Sequence, residues 1–317
     1  MELDYVNRED IGGRNIWKTI DDYKNYILFT NVWNEEDKIE ETFEMVFNFT
    51  VRPKLWVWID DGSTDNTGYL IEKYIQTYGV TMPTVVLHMP KKDKGDLSTI
   101  GLAYNVAFEA FNLRDLRFDF EFMAIMDVDN IIKPDYFEKV GHGFFFEPHF
   151  GVISGRHEEE KLKVPMGGSK CIRWWIVRSI DKFWDPAPDM QLNIEARARN
   201  MAWAIINKPV GMIGGPISAR NRTKDGSYYA GSLWRYVGGS YIGMFERVIY
   251  RIFRRRHGIA FFKGFWENKK WRCDNKHVIE YYKGHLSYFS DWCKRTWIHI
   301  IGWPSKGVRA FSNWFRL

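Results

Sequence analysis

Residues 56–67 read WVWIDDGSTDNT. Four bulky apolar residues run straight into two adjacent carboxylates, Asp60 and Asp61, and then into a string of turn formers. A solvated loop needs no such apolar approach, and a core strand has no use for paired acids. LWVWI (55–59) is apolar on both faces, as a central parallel strand would be. The acids are then what the strand delivers beyond its carboxyl end, where open α/β sheets bind ligands. For DDGS alone, Asp60 and Asp61 capping the next turn is an equally good reading, because Asp is common in turns.

The same alternation extends on either side. YILFTNV (26–32) reads as a strand, after which Asn34 can cap a helix carrying Ile39, Phe43, Val46 and Phe47 at helical spacing. GYLIEKYIQTYG reads as a helix with Leu70, Ile71, Tyr74, Ile75 and Tyr78 on one side and Gly79 as its stop. TVVLH (84–88) and FMAIM (122–126) are further strands, LSTIGLAYNVAFEAF (97–111) a helix between them, and Pro134 starts another helix. Strands alternating with helices predict an α/β fold with a mostly parallel central sheet and flanking helices. No internal repeat is present.

Composition bounds the class. In 317 residues, 45% hydrophobic and 27% charged, there is material for one large or two small globular domains. Three cysteines, Cys171, Cys273 and Cys293, form no CxxC pair, which points away from a disulfide framework or zinc site and towards a reducing compartment. The acidic start MELDYVNRED has no apolar core of a signal peptide, and no apolar run reaches the roughly 18 residues of a spanning helix. These features predict a cytoplasmic protein.

Charge is divided unevenly. Residues 221–317 hold 19 Lys+Arg against 6 Asp+Glu, a net of +13, within a chain whose total is +5. Trp234, Val237, Tyr241, Phe245, Val248 and Ile252 recur at intervals of three and four, with Arg247, Arg251 and Arg254 on another face. That pattern predicts one amphipathic basic helix over 234–256, within a mainly helical C-terminal region that holds seven tryptophans. Either the helix packs its stripe on the rest of the protein and leaves the arginines in water, or the region lies peripherally on an anionic membrane surface.

A second acidic constellation is MAIMDVDNIIKP. In extended backbone Asp127 and Asp129 point to one side and Val128 to the other. Paired carboxylates suit Mn²⁺ or Mg²⁺ held together with substrate phosphate oxygens, which neutralises a departing diphosphate. DxD by itself is usually an acidic surface turn; its place at a strand end, in a chain that also carries DDGS, favours the site.

NVWNEED (31–37), WIDDGSTDNT (58–67), DKGDLSTIGLAYNVA (93–107) and MDVDN (126–130) resemble, in order and spacing, the family 2 glycosyltransferases of the GT-A (Rossmann-like) fold. The resemblance covers residues 25–215 or so. It implies a nucleotide-diphosphate sugar donor, UDP- or GDP-linked, in a pocket formed by Asn31, Trp33, Glu35, Asp60, Asp61, Lys94, Gly95, Asp127 and Val128. Asp61 would meet the base, Asp129 would be the principal metal ligand, and Asp127 would face the ribose or the metal. Inverting members also use a carboxylate base at the start of a helix about sixty residues after DxD, and Asp189 in DPAPDMQLNIEARARNM matches that position. The chemistry asks for such a group in any case, since a hydroxyl attacking the anomeric carbon must lose its proton. Asp189 is also a good N-cap for the helix that follows.

The sequence departs from the family pattern in three places. Pro188 stands where an acid usually precedes the base, Trp33 replaces a tyrosine, and Glu195 occupies a frequent arginine position. Gly167, Gly168 and Ser169 read as a flexible turn on the acceptor side. Arg173 and Arg178 read as solvated charges on a helix that packs Trp174 and Trp175 inwards, and His157, His257 and His285 as structural or surface residues. The expected organisation is an N-terminal extension (1–24), a GT-A catalytic domain (25–220) and the basic region (221–317), with a glycan or lipid-linked acceptor. The alternatives are a nucleotidyltransferase of similar fold, for which NVWNEED is the wrong N-terminal signature, and a nucleic-acid binder, which the acidic body disfavours.

Overall fold

A computed structural model of the chain describes residues 6–9, 15–19, 21–78, 82–91, 99–116, 119–155, 165, 167–184, 188–206, 210–212, 223–254, 256–268, 273 and 279. The chain forms two compact units, Met1–Gly214 and Gly215–Leu317.

The first unit begins with a two-stranded antiparallel pair, β1 (Val6–Glu9) and β2 (Asn15–Lys18). The apolar runs then follow as read. They are β3 (Tyr26–Val32), helix α1 (Ile39–Phe47), β4 (Leu55–Asp60), α2 (Thr67–Tyr78), β5 (Thr84–His88), α3 (Thr99–Ala110) and β6 (Phe122–Asp127). Next come β7 (Asn130–Ile132), α4 (Tyr136–Phe146), β8 (Phe150–Gly155), β9 (Lys170–Arg173), α5 (Trp174–Arg178), α6 (Pro188–Ala198), β10 (Ala202–Ile206) and β11 (Val210–Met212). The central sheet has the order β10-β8-β9-β6-β3-β4-β5 and is parallel except for β9, which runs antiparallel to both β6 and β8. β11 and β7 make a small antiparallel pair.

Alternation along each strand sends side chains to two apolar layers. On one face Ile27, Phe29, Val57, Ile59 and Ile125 pack against Tyr104 and Phe108 of α3. On the other, Phe43 of α1 lies 4.8 Å from the Trp56 ring and 5.3 Å from that of Trp58. Tyr26 stacks on Phe122 and on Phe137 of α4 at 5.0 and 4.8 Å. Burying one such side chain contributes about 1.5–3 kcal/mol. Thr30, polar on the second face, is satisfied there by accepting from Trp56 Nε1 at 2.9 Å.

Four local expectations need correction. Asn34 caps no helix: it adopts a left-handed φ of 54°, and α1 starts only after a short 3₁₀ turn at Glu36–Lys38. The extended backbone that would hold Asp127 and Asp129 in register ends at Asp127, and Val128–Asp129 form a turn. Gly167–Ser169 is a pinned turn, as described below. Arg173 is the last residue of β9 rather than a solvated helical charge. It is 5% exposed, donates to the carbonyls of Phe144 and Phe150, and lies over the Phe144 ring. A buried strand leaves a long cation no route to water, and carbonyls at the end of α4 and the start of β8 satisfy it instead.

The second unit contains α7 (Lys224–Tyr236), α8 (Tyr241–Phe253) and α9 (Gly258–Glu267). The single helix expected over 234–256 is therefore two. Gly238, at φ 78°, turns the chain after α7, and the Ser240 hydroxyl accepts from Gly243 N to cap α8. No described helix is long and apolar enough to cross a membrane.

Candidate active site

The sheet order places the site. From β3 the chain moves outwards to β4 and β5, then returns to the other side of β3 as β6. Strand ends diverge at such a switch point and leave a crevice. Asn31 pairs in register with Asp127 of β6, and Val32 with Asp60 of β4. The DDGS and DxD segments thus emerge at one edge, one strand apart, or about 10 Å.

The loop after β4 is shaped by its own acids. Asp60, 6% exposed, accepts from Ser63 N through Oδ1 at 3.0 Å, and its Oδ2 lies 3.0 Å from His88 Nδ1. His88 Nε2 in turn lies 3.2 Å from Glu72. Burial disfavours charging His88, but the hydrogen bonds to Asp60 and Glu72 outweigh it and raise its pKa. Gly62 takes a φ of 80° where a Cβ would stand 2.3 Å from Pro90 O, so the turn requires glycine. Asp61 is 5% exposed, and its N–H donates to Val32 O at 2.9 Å.

The NVWNEED segment is tied to this loop. Asn34 Oδ1 accepts from Thr64 N at 2.7 Å, Asn34 N donates to Ser63 Oγ, and Glu35 N donates to buried Thr67 Oγ1, both at 2.9 Å. Glu35 pairs with Lys38. Lys38 is held above the usual lysine range: burial opposes the charge, but Glu35, Asp37 and Asp129 outweigh it. The left-handed Asn34 is therefore a hinge between the two segments, which explains why it is unavailable as a cap. Trp33 is half-buried at the same edge.

On the DxD side, Asp127 N and Asn130 Nδ2 both donate to Gly168 O, and Tyr136 OH donates to Ser169 O. A Cβ on Gly168 would stand 2.6 Å from Asp127 Oδ2, and one on Gly167 would stand 3.0 Å from Asp189 Oδ2. The two glycines therefore let one turn lie against both carboxylates. Behind it, Lys170 is fully buried; its Nζ donates to Asp189 O and lies 3.7 Å from Asp189 Oδ2. Burial lowers the Lys170 pKa, while Asp189 and Asp127 favour its charged form. Asn31 Nδ2 donates to Tyr104 OH at 2.8 Å, and burial first, then Asp127, pushes that phenol far up. Asp189 sits in the first turn of α6.

Asn31, Asp127, Asp189, Gly167 and Gly168 thus belong to one cluster, while Trp33, Glu35, Asp60 and Asp61 line the adjoining loops. Val128 is buried beside Asp127 and partly exposed Asp129. Lys94 and Gly95 lie outside the described residues, as do His157 and His285. Sequence reasoning missed Lys170, His88 and Tyr104. A lysine inside KCIR, alternating with apolar neighbours, was the available signal for the first.

Among the described residues no three His, Cys, Asp or Glu side chains converge as a complete metal site. The hard oxygens of Asp127 and Asp129, two residues apart at the end of β6, fit a divalent ion whose remaining ligands come from substrate phosphate and water.

A mostly parallel sheet with acids at its switch point and a facing carboxylate on a following helix is the framework of a GT-A glycosyltransferase. Residues 28–183, just under half the chain, match the model of Glycosyl transferase family 2. That match identifies residues 28–183 as similar to a family 2 glycosyltransferase domain. A mannosyltransferase from Pyrobaculum calidifontis, solved with GDP-Man and Mn2+, shares the fold at TM-score 0.50 and 13% identity. The alignment covers 66% of this chain and 61% of that one, so this chain spans about three-fifths of it. S. aureus TarS 1-349 with UDP-GlcNAc aligns at TM-score 0.45 and 19% identity, over 67% of this chain and 65% of that one. Glucosyl-3-phosphoglycerate synthase from Mycobacterium tuberculosis, with Mn2+, UDP and phosphoglyceric acid, aligns at 0.46 and 14%, over 66% and 79%. No curated protein matches the sequence.

Proposed function

We propose that the protein is an inverting, metal-dependent hexosyltransferase that moves a sugar from a UDP- or GDP-sugar to a hydroxyl of a glycan or lipid-linked acceptor. The observation that carries this reading is the single turn, Gly167–Gly168, lying against both Asp127 and Asp189, with Lys170 buried behind it. Asp61, at the far side of the crevice, is the residue to meet the base. Asp60 holds the loop, since both its oxygens are engaged. Asp127 and Asp129 would hold Mn²⁺ or Mg²⁺, which when bound neutralises the diphosphate.

In this reading Asp189 takes the proton of the acceptor hydroxyl as its oxygen bonds to the anomeric carbon. The bond to the diphosphate breaks on the opposite face, which inverts the configuration. Lys170, donating to Asp189 O and lying 3.7 Å from its Oδ2, fixes the position of the base. The basic second unit supports a place at the cytoplasmic face of an anionic membrane, where lipid-linked acceptors are within reach.

Asp189→Asn keeps the shape of the side chain and removes the proton acceptor. It should lower transfer by about 10²- to 10⁴-fold while donor affinity stays within a factor of about two. Donor binding lost in parallel with turnover would make Asp189 a structural cap instead.

A further inference from the structure

In the second unit α8 is inside out. Arg247 lies 3.6 Å from the Trp234 ring centroid, and Arg251 lies over Phe261 at 4.8 Å and donates to Ser227 Oγ. Arg247 and Arg251 therefore occupy the packed side, while Arg254 at the end of the helix is exposed. Ile242, Phe245, Ile249, Ile252 and Phe253 face outwards, each more than half exposed, with Phe253 at 83%. Ile259 and Trp266 of α9 extend the same apolar surface. A helix that spends its cations on internal aromatic rings and turns its aliphatic residues to the outside is built for a non-aqueous neighbour.

Beside this surface, between the start of α7, the end of α8 and the start of α9, is a cavity of about 400 Å³. Lys224, Arg256, His257 and Lys263 line it, against the single carboxylate of Asp225. Among the described residues the side chains of Lys224, Arg256 and Lys263 make no hydrogen bond or ion pair. Ile252 and Ile259 form part of its wall and are continuous with the exposed stripe. Unpaired cations in a concavity call for an anion, and aliphatic residues at its rim call for acyl chain.

We propose that this cavity receives the phosphate of an anionic membrane lipid while the α8 stripe and Phe253 enter the acyl boundary of the same leaflet. This deepens the membrane part of the functional reading above by naming the docking site and its ligand chemistry. The excess of +13 across residues 221–317 supplies the long-range attraction that brings the unit to such a surface.

The test is co-sedimentation of the full chain with phosphatidylcholine vesicles, with and without phosphatidylglycerol, at low and high salt. Wild type should partition onto the anionic vesicles and leave them in part at high salt. The triple variant K224Q/R256Q/K263Q should lower the partition coefficient roughly a hundredfold. Phe253→Ser with Ile249→Ser, which alters no charge, should lower it about tenfold at either salt. Each variant should melt at the wild-type temperature and keep its stabilisation by nucleotide-sugar, so a failure here is separable from a failure of the catalytic reading. Wild type remaining in the supernatant, or the triple variant binding as wild type does, would overturn the proposal. Stabilisation by inorganic phosphate without vesicle binding would assign the cavity to a soluble anion instead. A dimer by light scattering that ignores vesicles would give the α8 face to a second copy.

Discussion

At the scale of single residues, the site rests on groups whose partners come from distant parts of the chain. His88 bridges Asp60 and Glu72, so its folded pKa lies above the ordinary value near 6.5. The protonated ring is favoured in the fold, so its stabilisation is complete below the unfolded pKa and is lost as pH rises through the raised folded value. His88→Gln should flatten the decline of Tm with pH above about 6.5. An unchanged pH profile would mean that the ring does not couple to Asp60. This bridge was not legible beforehand, because nothing in TVVLH marks its last residue as the partner of an acid 28 positions earlier. Lys170 was hidden for a related reason: a charged residue in a short strand reads as an exposed one, and only the insertion of β9 between β6 and β8 buries it. The placement of Asp60 and Asp127 at strand ends, with Asp61 and Asp129 just beyond, could be read directly, because each pair follows an apolar run that has to be a strand.

At the scale of elements, the parallel strands and their helices were legible from periodicity, and the second unit was not. The three- and four-residue spacing over 234–256 is real, but it spans two helices whose register changes at Gly238. Periodicity also cannot tell which face packs when aromatic residues and arginines can serve either side. The contact that decides is backbone against backbone. A Cβ on Gly264 of α9 would fall 1.9 Å from Tyr228 O of α7, and one on Gly231 of α7 the same distance from Phe261 O of α9. Gly264→Ala gains about 1 kcal/mol of helix propensity but overpacks a crossing with nowhere to yield, at about 1–3 kcal/mol. Overpacking should win, and thermal melting should show a lower Tm for Gly264→Ala. A Tm equal to or above wild type would show that the α7–α9 crossing is looser than this.

At the scale of the whole molecule, two units share one chain: an acidic-edged α/β sheet whose switch point collects the carboxylates, and a basic helical unit with an outward apolar face. The order of motifs along the sequence carried the first, since NVWNEED, DDGS and DxD each begin at the end of their own strand. The antiparallel β9, which carries Lys170 just after the glycine turn, was missed because the stretch from Arg173 reads as part of a helix. The central claim is that the switch-point acids bind a nucleotide-sugar together with a divalent ion. The most direct measurement is the melting temperature of the full chain with UDP-, GDP- and dTDP-sugars, each with Mn²⁺ and with EDTA. A donor at about a hundred times its Kd adds about 2.7 kcal/mol to the stability of the unit that binds it. The account predicts a clear upward shift with a UDP- or GDP-sugar and Mn²⁺, a smaller one in EDTA, and a loss of the Mn²⁺-dependent part in Asp129→Asn. No shift with any sugar nucleotide, or one that EDTA and Asp129→Asn leave untouched, would contradict it.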